Sequence, residues 1–323
     1  MDEMVKKRGV LAMIFISPDE PRFRAGWRLM LHSCLFFLII GILVFAVFAI
    51  TQNQNLFSFD FFFLSVTLEL AAVLIGTWIA RRALDRRSFV SLGLKLDTTT
   101  LPDLLLGLFI PAILMGLIFL VEWALGWLTF EGFAWQRLGF SEVIAGLLNS
   151  LVIFLVVAIS EELLSRGYHL QNLTDGLNLF WGLVLSSTIF AVLHLGNPES
   201  SLVAVLGLIC AGLFLAFGWL RTRQLWLPIG LHLGWNFFEG TIFGFPVSGL
   251  ETFHLIEHST NGPVFITGGA FGPEAGLIIL PALALGVGLM IVFTRGRAGV
   301  HQGLFANQKL TEPPESLPGP HPG

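Results

Sequence analysis

Residues 29–51 read LMLHSCLFFLIIGILVFAVFAIT, without one Lys, Arg, Asp or Glu. A helix needs roughly 20 such residues to cross the hydrocarbon of a bilayer, so this stretch alone points to a membrane-spanning helix. The rest of the chain agrees. Of 323 residues, 54% are apolar, 12% charged and 13% aromatic, and mean hydropathy is +0.79. A soluble domain carries about twice that charged fraction. No water-soluble fold of this length hides so much apolar surface. The same figures exclude disorder, and a net charge of −4 gives no surface for a nucleic-acid partner. Cys34 and Cys210 both sit inside apolar runs, offering neither a disulfide framework nor a CxxC metal site.

Seven more segments qualify as spans, at about 62–80, 104–128, 143–161, 178–195, 201–220, 225–245 and 276–294. The expected fold is all-α, a polytopic bundle of about eight transmembrane helices around a polar cavity. Asp103 and Pro228 punctuate helix starts, and the fourth helix should run on to about Leu173, where Thr174-Asp175-Gly176 signals a turn. Threading eight spans with the N-terminus inside leaves 17 of the 18 Lys and Arg on the inner side and Arg137 alone outside. That asymmetry is what the positive-inside rule demands, so both termini are expected in the cytoplasm, the membrane being the cell (inner) membrane. Residues 1–28 read as a cytoplasmic segment, 29–297 as the membrane domain and 298–323 as a Pro-rich, disordered tail. Val10 to Ile16 is apolar but is followed by charges rather than a small-residue cleavage site, unlike a signal peptide.

Ionisable groups inside a bilayer are costly, and each is a candidate site. Three clusters stand out. In span four, Glu162 and Arg166 are spaced as the favourable helical acid–base pair, while Glu161 points about 100° away. Span five carries His194. Span seven carries His232 and Asn236 on one face. Glu162–Arg166 could be a purely structural pair and each histidine an inter-helix hydrogen bond, but their convergence from three helices favours a site. The chemistry these types support is hydrolysis: a carboxylate in low dielectric can take a proton from water and return it to a leaving amine. Histidines can orient that water or hold a metal, and an Asn amide can donate to an oxyanion. One divalent ion such as zinc would suit Glu161, His194 and His232, although His-Glu-x-x-His spacing is absent.

At these motifs the chain resembles the CPBP intramembrane proteases, which include CAAX prenyl endopeptidases of the Ras-converting type and bacterial Abi proteins linked to bacteriocin self-immunity. The matching residues are Glu-Glu-x-x-x-Arg-Gly at 161–167, Phe-x-x-x-His at 190–194 and His-x-x-x-Asn at 232–236, in order on successive spans. Outlying matches are Leu92-Gly93-Leu94 and Thr267 to Glu274, so the likeness covers about 81–294. The resemblance implies Glu161 as the water-activating base, supported by Glu162 and Arg166. It implies His194 as a second water- or metal-binding group, and His232 with Asn236 as oxyanion stabilisers. Ser165 departs from the family, which usually has an aromatic residue there; this is expected to alter fit rather than chemistry.

One point of geometry needs resolution. Counting helical rises from the turns, Glu161 and His194 come level within ~6 Å, but His232 would lie ~10–15 Å lower. Span seven is therefore expected to begin deeper, rather than tilt or break at Pro228. Glu69, Glu122 and Glu239 read as structural or lumen contacts. His254 and His258, with Glu251 and Glu257, read as a solvated loop helix, and the Trp residues, Trp219 among them, as interface anchors. The function expected is an intramembrane endopeptidase acting on a peptide or membrane-protein substrate, lipidated if of the prenyl type. The alternatives are a non-catalytic partner or immunity protein that binds a peptide in the same polar core, and a transporter. The last would need an internal repeat, and none is evident.

Overall fold

A computed structural model describes residues 14–17, 22–51 and 59–296 of the chain. The tail expected at 298–323, and most of the N-terminal segment, lie outside the described residues. All eight apolar segments are helical. In chain order they are α1 (Ala25–Thr51), α2 (Phe59–Ala83), α3 (Thr100–Ala124), α4 (Phe140–Glu162), α6 (Leu179–Leu193), α7 (Leu202–Thr222), α8 (Trp226–Asn236) and α10 (Ile279–Phe293). Beyond α4 the helix continues through a π-helical stretch, Leu163–His169, into α5 (Leu170–Gly176), ending at the expected turn. A short α9 (Val264–Thr267) precedes α10. Strands β1 (Leu128–Phe133) and β2 (Ile256–Thr260) pair antiparallel over one end.

Six of these helices are long and apolar enough to cross a membrane. The seventh and eighth segments are shorter than expected, for a physical reason. Helix α8 has only 11 residues, extended by a second π-helical stretch, Phe237–Ile242, and every residue from Leu227 to Asn236 is buried. A helix enclosed by other helices never meets lipid and need not match the hydrocarbon thickness. Helix α10, at 15 residues, is preceded by an irregular segment in which residues 271–276 are all buried. Non-helical backbone at that depth is tolerated where protein surrounds it.

Helix α8 is the central post. Its Leu227, Leu231 and Trp235 pack with α3, α7 and α10. Its Ile229 and Leu233 join a second core with α2 and α4. Gly230 and Gly234, spaced as the small-xxx-small motif, press α8 onto α3. A Cβ added at Gly107 of α3 would lie 2.6 Å from the backbone of Leu227 and Leu231. Such contact between backbones leaves the opposite face of α8, carrying His232 and Asn236, free for the cavity.

At the end of the bundle where α2 and α5 terminate, buried charges are paired, as burial requires. Arg28 and Arg81 hold Asp85 at 2.9 and 3.0 Å. Arg22 and Arg87 hold Asp175 at 2.9 and 3.2 Å. These pairs tie α1, α2 and the end of α5 together.

Two readings are corrected here. His254 and His258 are not on a loop helix: His258 lies in β2, packed against Phe119 and Phe245. Burial there holds its imidazole below the usual histidine pKa. Trp219 is no interface anchor but a core residue, 3% exposed, with the Arg223 guanidinium 4.6 Å above its ring. Trp78, Trp123 and Trp181 are exposed, as anchors should be.

Candidate active site

Glu161 and Glu162 close α4, and the π-helical stretch begins at the next residue. Such insertions are frequent at functional sites, since widening the helix re-aims side chains. Despite it, Arg166 still reaches back: its Nη1 donates to Glu162 Oε1 at 2.7 Å and its Nη2 to the Gly212 carbonyl at 2.9 Å. Its guanidinium also stacks 4.5 Å over the Phe190 ring. Both partners are essentially unexposed.

The same Glu162 oxygen meets His232 Nδ1 at 2.9 Å. A carboxylate oxygen bonded to Arg166 can only accept, so His232 Nδ1 carries the proton. His194, at the end of α6, places its Nδ1 2.8 Å from the Phe190 carbonyl and must donate there too. Both rings are therefore fixed by their Nδ1–H, and both Nε2 atoms face Glu161. His194 Nε2 is 3.7 Å, and His232 Nε2 3.9 Å, from Glu161 Oε2. These separations are too long for direct hydrogen bonds.

Helix α8 brings His232 beside Glu161. Leu225 and Leu227, at its start, are fully buried against other parts of the protein. Leu225 N–H bonds the Gly93 carbonyl at 2.8 Å, and Trp226 Nε1–H the Lys95 carbonyl at 2.8 Å. Pro228, in that first turn, leaves the helix unbroken because no backbone N–H is needed there. The start is buried, and His232 stands beside Glu161.

Around these atoms lies a cavity of about 270 Å³. Glu161, His194, His232 and Asn236 line it; Glu162 and Arg166 stand behind its wall. Asn236 is 7% exposed, and its side chain makes no hydrogen bond to any described residue. Ser165, at the departure from the family pattern, is also on the wall. An aromatic side chain there would take up cavity space.

Several lining residues lie outside the motifs. Glu69 of α2 lines the same cavity as Glu161 and His194, so of the two sequence alternatives it is a lumen contact. Ser248 and Glu274 come from loops, and only Glu274 lay in a stretch that had drawn notice. Glu239 is buried behind the wall, and Glu122 lies elsewhere in α3.

The donor types suit a divalent ion, and both imidazoles have the backing partner that metal-bound histidines use. Yet among the described residues no group of three or more His, Cys, Asp or Glu is arranged to hold one.

Residues 143–238 match the protein-family model described as Type II CAAX prenyl endopeptidase Rce1-like. The match agrees with the CPBP resemblance drawn from the motifs and contains all six candidate residues, in under a third of the chain. It indicates a protease of the intramembrane kind, and with the long apolar helices a multi-pass membrane protein. Neither curated proteins nor solved structures give a match.

Proposed function

We propose that this protein is an intramembrane endopeptidase in which Glu161 activates water against a peptide carbonyl. The observation that carries the reading is the facing of two imidazole Nε2 atoms, at 3.7 and 3.9 Å, toward the Glu161 carboxylate in a cavity whose other walls are mostly apolar. Gaps of that length between polar groups are where a bridging water belongs. Glu161 takes a proton from that water, and the hydroxyl oxygen forms a bond to the carbonyl carbon. His194, with its Nδ1–H committed to Phe190, presents Nε2 to orient the water. The resulting oxyanion accepts from the Asn236 amide and from Nε2–H of protonated His232, whose Nδ1–H rests on Glu162. As the carbon–nitrogen bond breaks, Glu161 returns its proton to the leaving amine. Glu162 and Arg166 position His232 and touch no substrate.

The substrate class follows from the family likeness: a peptide or protein segment at the membrane, prenylated near the cut in the CAAX case. The cation asymmetry supports a cytoplasmic side for both termini and the Arg81–Arg87 connection. The test is cleavage of a peptide library that includes prenylated members, by purified wild type beside Glu161→Gln. Products from wild type alone are expected. Equal products from both would remove Glu161 as the base.

A further inference from the structure

The cavity has a second polar wall, built by loops rather than by the motif helices. Three segments meet there. Asn197, just past His194, donates from Nδ2 to the Ser248 carbonyl at 3.0 Å, and Ser248 Oγ donates to Glu274 Oε2 at 2.5 Å. All three residues line the cavity that holds Glu161 and both motif histidines.

The backbone is bent to make this wall. Ser248 adopts φ of 48°, a left-handed conformation that costs a non-glycine residue energy and persists only where its surroundings enforce it. Gly268, Gly269 and Gly272 carry φ of 85°, 59° and 105°, turning the segment before α10 back into the bundle. Gly207 of α7 lets the Glu274 carbonyl pack against it where any side chain would collide. An acidic residue only 4% exposed, delivered by an irregular buried segment to the wall of a mostly apolar cavity, is an expensive arrangement for fold stability alone.

The geometry points to Glu274, oriented by Ser248, as a substrate-holding residue that accepts hydrogen bonds from backbone N–H groups of a bound peptide. Asn236, buried on the same cavity and without a side-chain hydrogen bond among the described residues, marks on that reading where the peptide carbonyl lies, and an extended peptide presents N–H groups beside that carbonyl. The inference rests on the endopeptidase reading in that it needs a peptide in the cavity, but not on cleavage.

The test separates the two. A dansyl-labelled, S-farnesylated CAAX peptide is titrated by fluorescence anisotropy into detergent-purified Glu161→Gln, alone and combined with Glu274→Ala, Glu274→Gln or Ser248→Ala. Loss of charge-assisted hydrogen bonds should weaken binding about 10- to 100-fold for Glu274→Ala. Glu274→Gln keeps a carbonyl acceptor and should recover most of the affinity. Ser248→Ala should fall between. In the Glu161-intact protein the same Glu274→Ala change should raise KM and leave kcat within about threefold, with Tm held. Binding by Glu161→Gln/Glu274→Ala as tight as its parent overturns the assignment and leaves the endopeptidase reading standing. Affinity falling only in step with Tm across the set makes Glu274 structural, and also overturns it. Binding lost as expected in a protein whose wild type never cleaves the peptide sinks the endopeptidase reading alone. No binding by the parent counts against both.

Discussion

Glu161 and Glu162 are neighbours in sequence with opposite surroundings. Glu162 is fully buried, one oxygen shared by Arg166 and His232, whereas the Glu161 side chain keeps 22% of its surface open to the cavity. Their substitutions should therefore behave differently. Arg166→Ala leaves a buried carboxylate without its cation and should cost about 3–5 kcal/mol of stability, read as a large fall in melting temperature in detergent. Arg166→Lys should not restore it, because a single ammonium cannot reach both Glu162 and the Gly212 carbonyl in the guanidinium geometry. Asn236→Ala removes a side chain that bonds nothing in the described protein, so melting should hold while turnover falls about 10²–10³-fold. A melting temperature lowered as far as that of Arg166→Ala would return Asn236 to helix packing. The six motif residues were legible because ionisable groups are costly among apolar ones and repeat at helical spacing. Glu69 and Glu274 were not singled out: Glu69 looks like Glu122 on an apolar span, and Glu274 lies in a loop without periodicity. Only packing separates the first pair, and only the chain's return into the bundle gives the second its place.

Among the elements, α8 decides whether the site exists. It contacts α3 through glycines and faces the cavity with His232 and Asn236. Gly107→Val or Gly230→Leu would drive a side chain into the opposite backbone, and helices cannot shift apart without displacing His232 from Glu161. Loss of melting temperature by several degrees together with activity is expected, while Gly41→Ala in α1, with nothing within 4 Å of its added Cβ, should be neutral. Equal stability for Gly107→Val and Gly41→Ala would contradict this account of the interface. That His232 must stand level with Glu161 was inferable from the motifs, and the two do stand side by side. The shortness of α8 was not, because 225–245 reads as one apolar run whether lipid or protein surrounds it. The π-helical stretches after Glu162 and after Asn236 leave no mark in composition either. They follow from tertiary packing, which moves the backbone register after the residues that the site needs.

At the scale of the whole molecule, composition alone forces a membrane bundle, and the Lys and Arg distribution proposes its orientation. In a background lacking Cys34 and Cys210, a cysteine at Arg86 should resist an impermeant thiol reagent in intact cells and react after permeabilisation. Labelling in intact cells would invert the bundle. Six helices of spanning length, one enclosed post and one half-helical passage meet the expectation of about eight. For α8 the difference lies in its shelter by protein, a distinction hydropathy does not carry, whereas α10 keeps an exposed apolar face and is shortened by the irregular buried segment before it. The central claim is that the acid and the two histidines act on water rather than merely join helices. It is tested most directly by measuring peptide cleavage rate beside melting temperature for Glu161→Gln, His194→Ala and His232→Ala in one detergent preparation. The account predicts turnover abolished by Glu161→Gln and nearly so by His194→Ala, at melting temperatures close to wild type. It predicts His232→Ala low in both, because Glu162 loses a partner. Turnover that simply follows melting temperature across all three would contradict it, and would leave a protein that holds a peptide without cutting it.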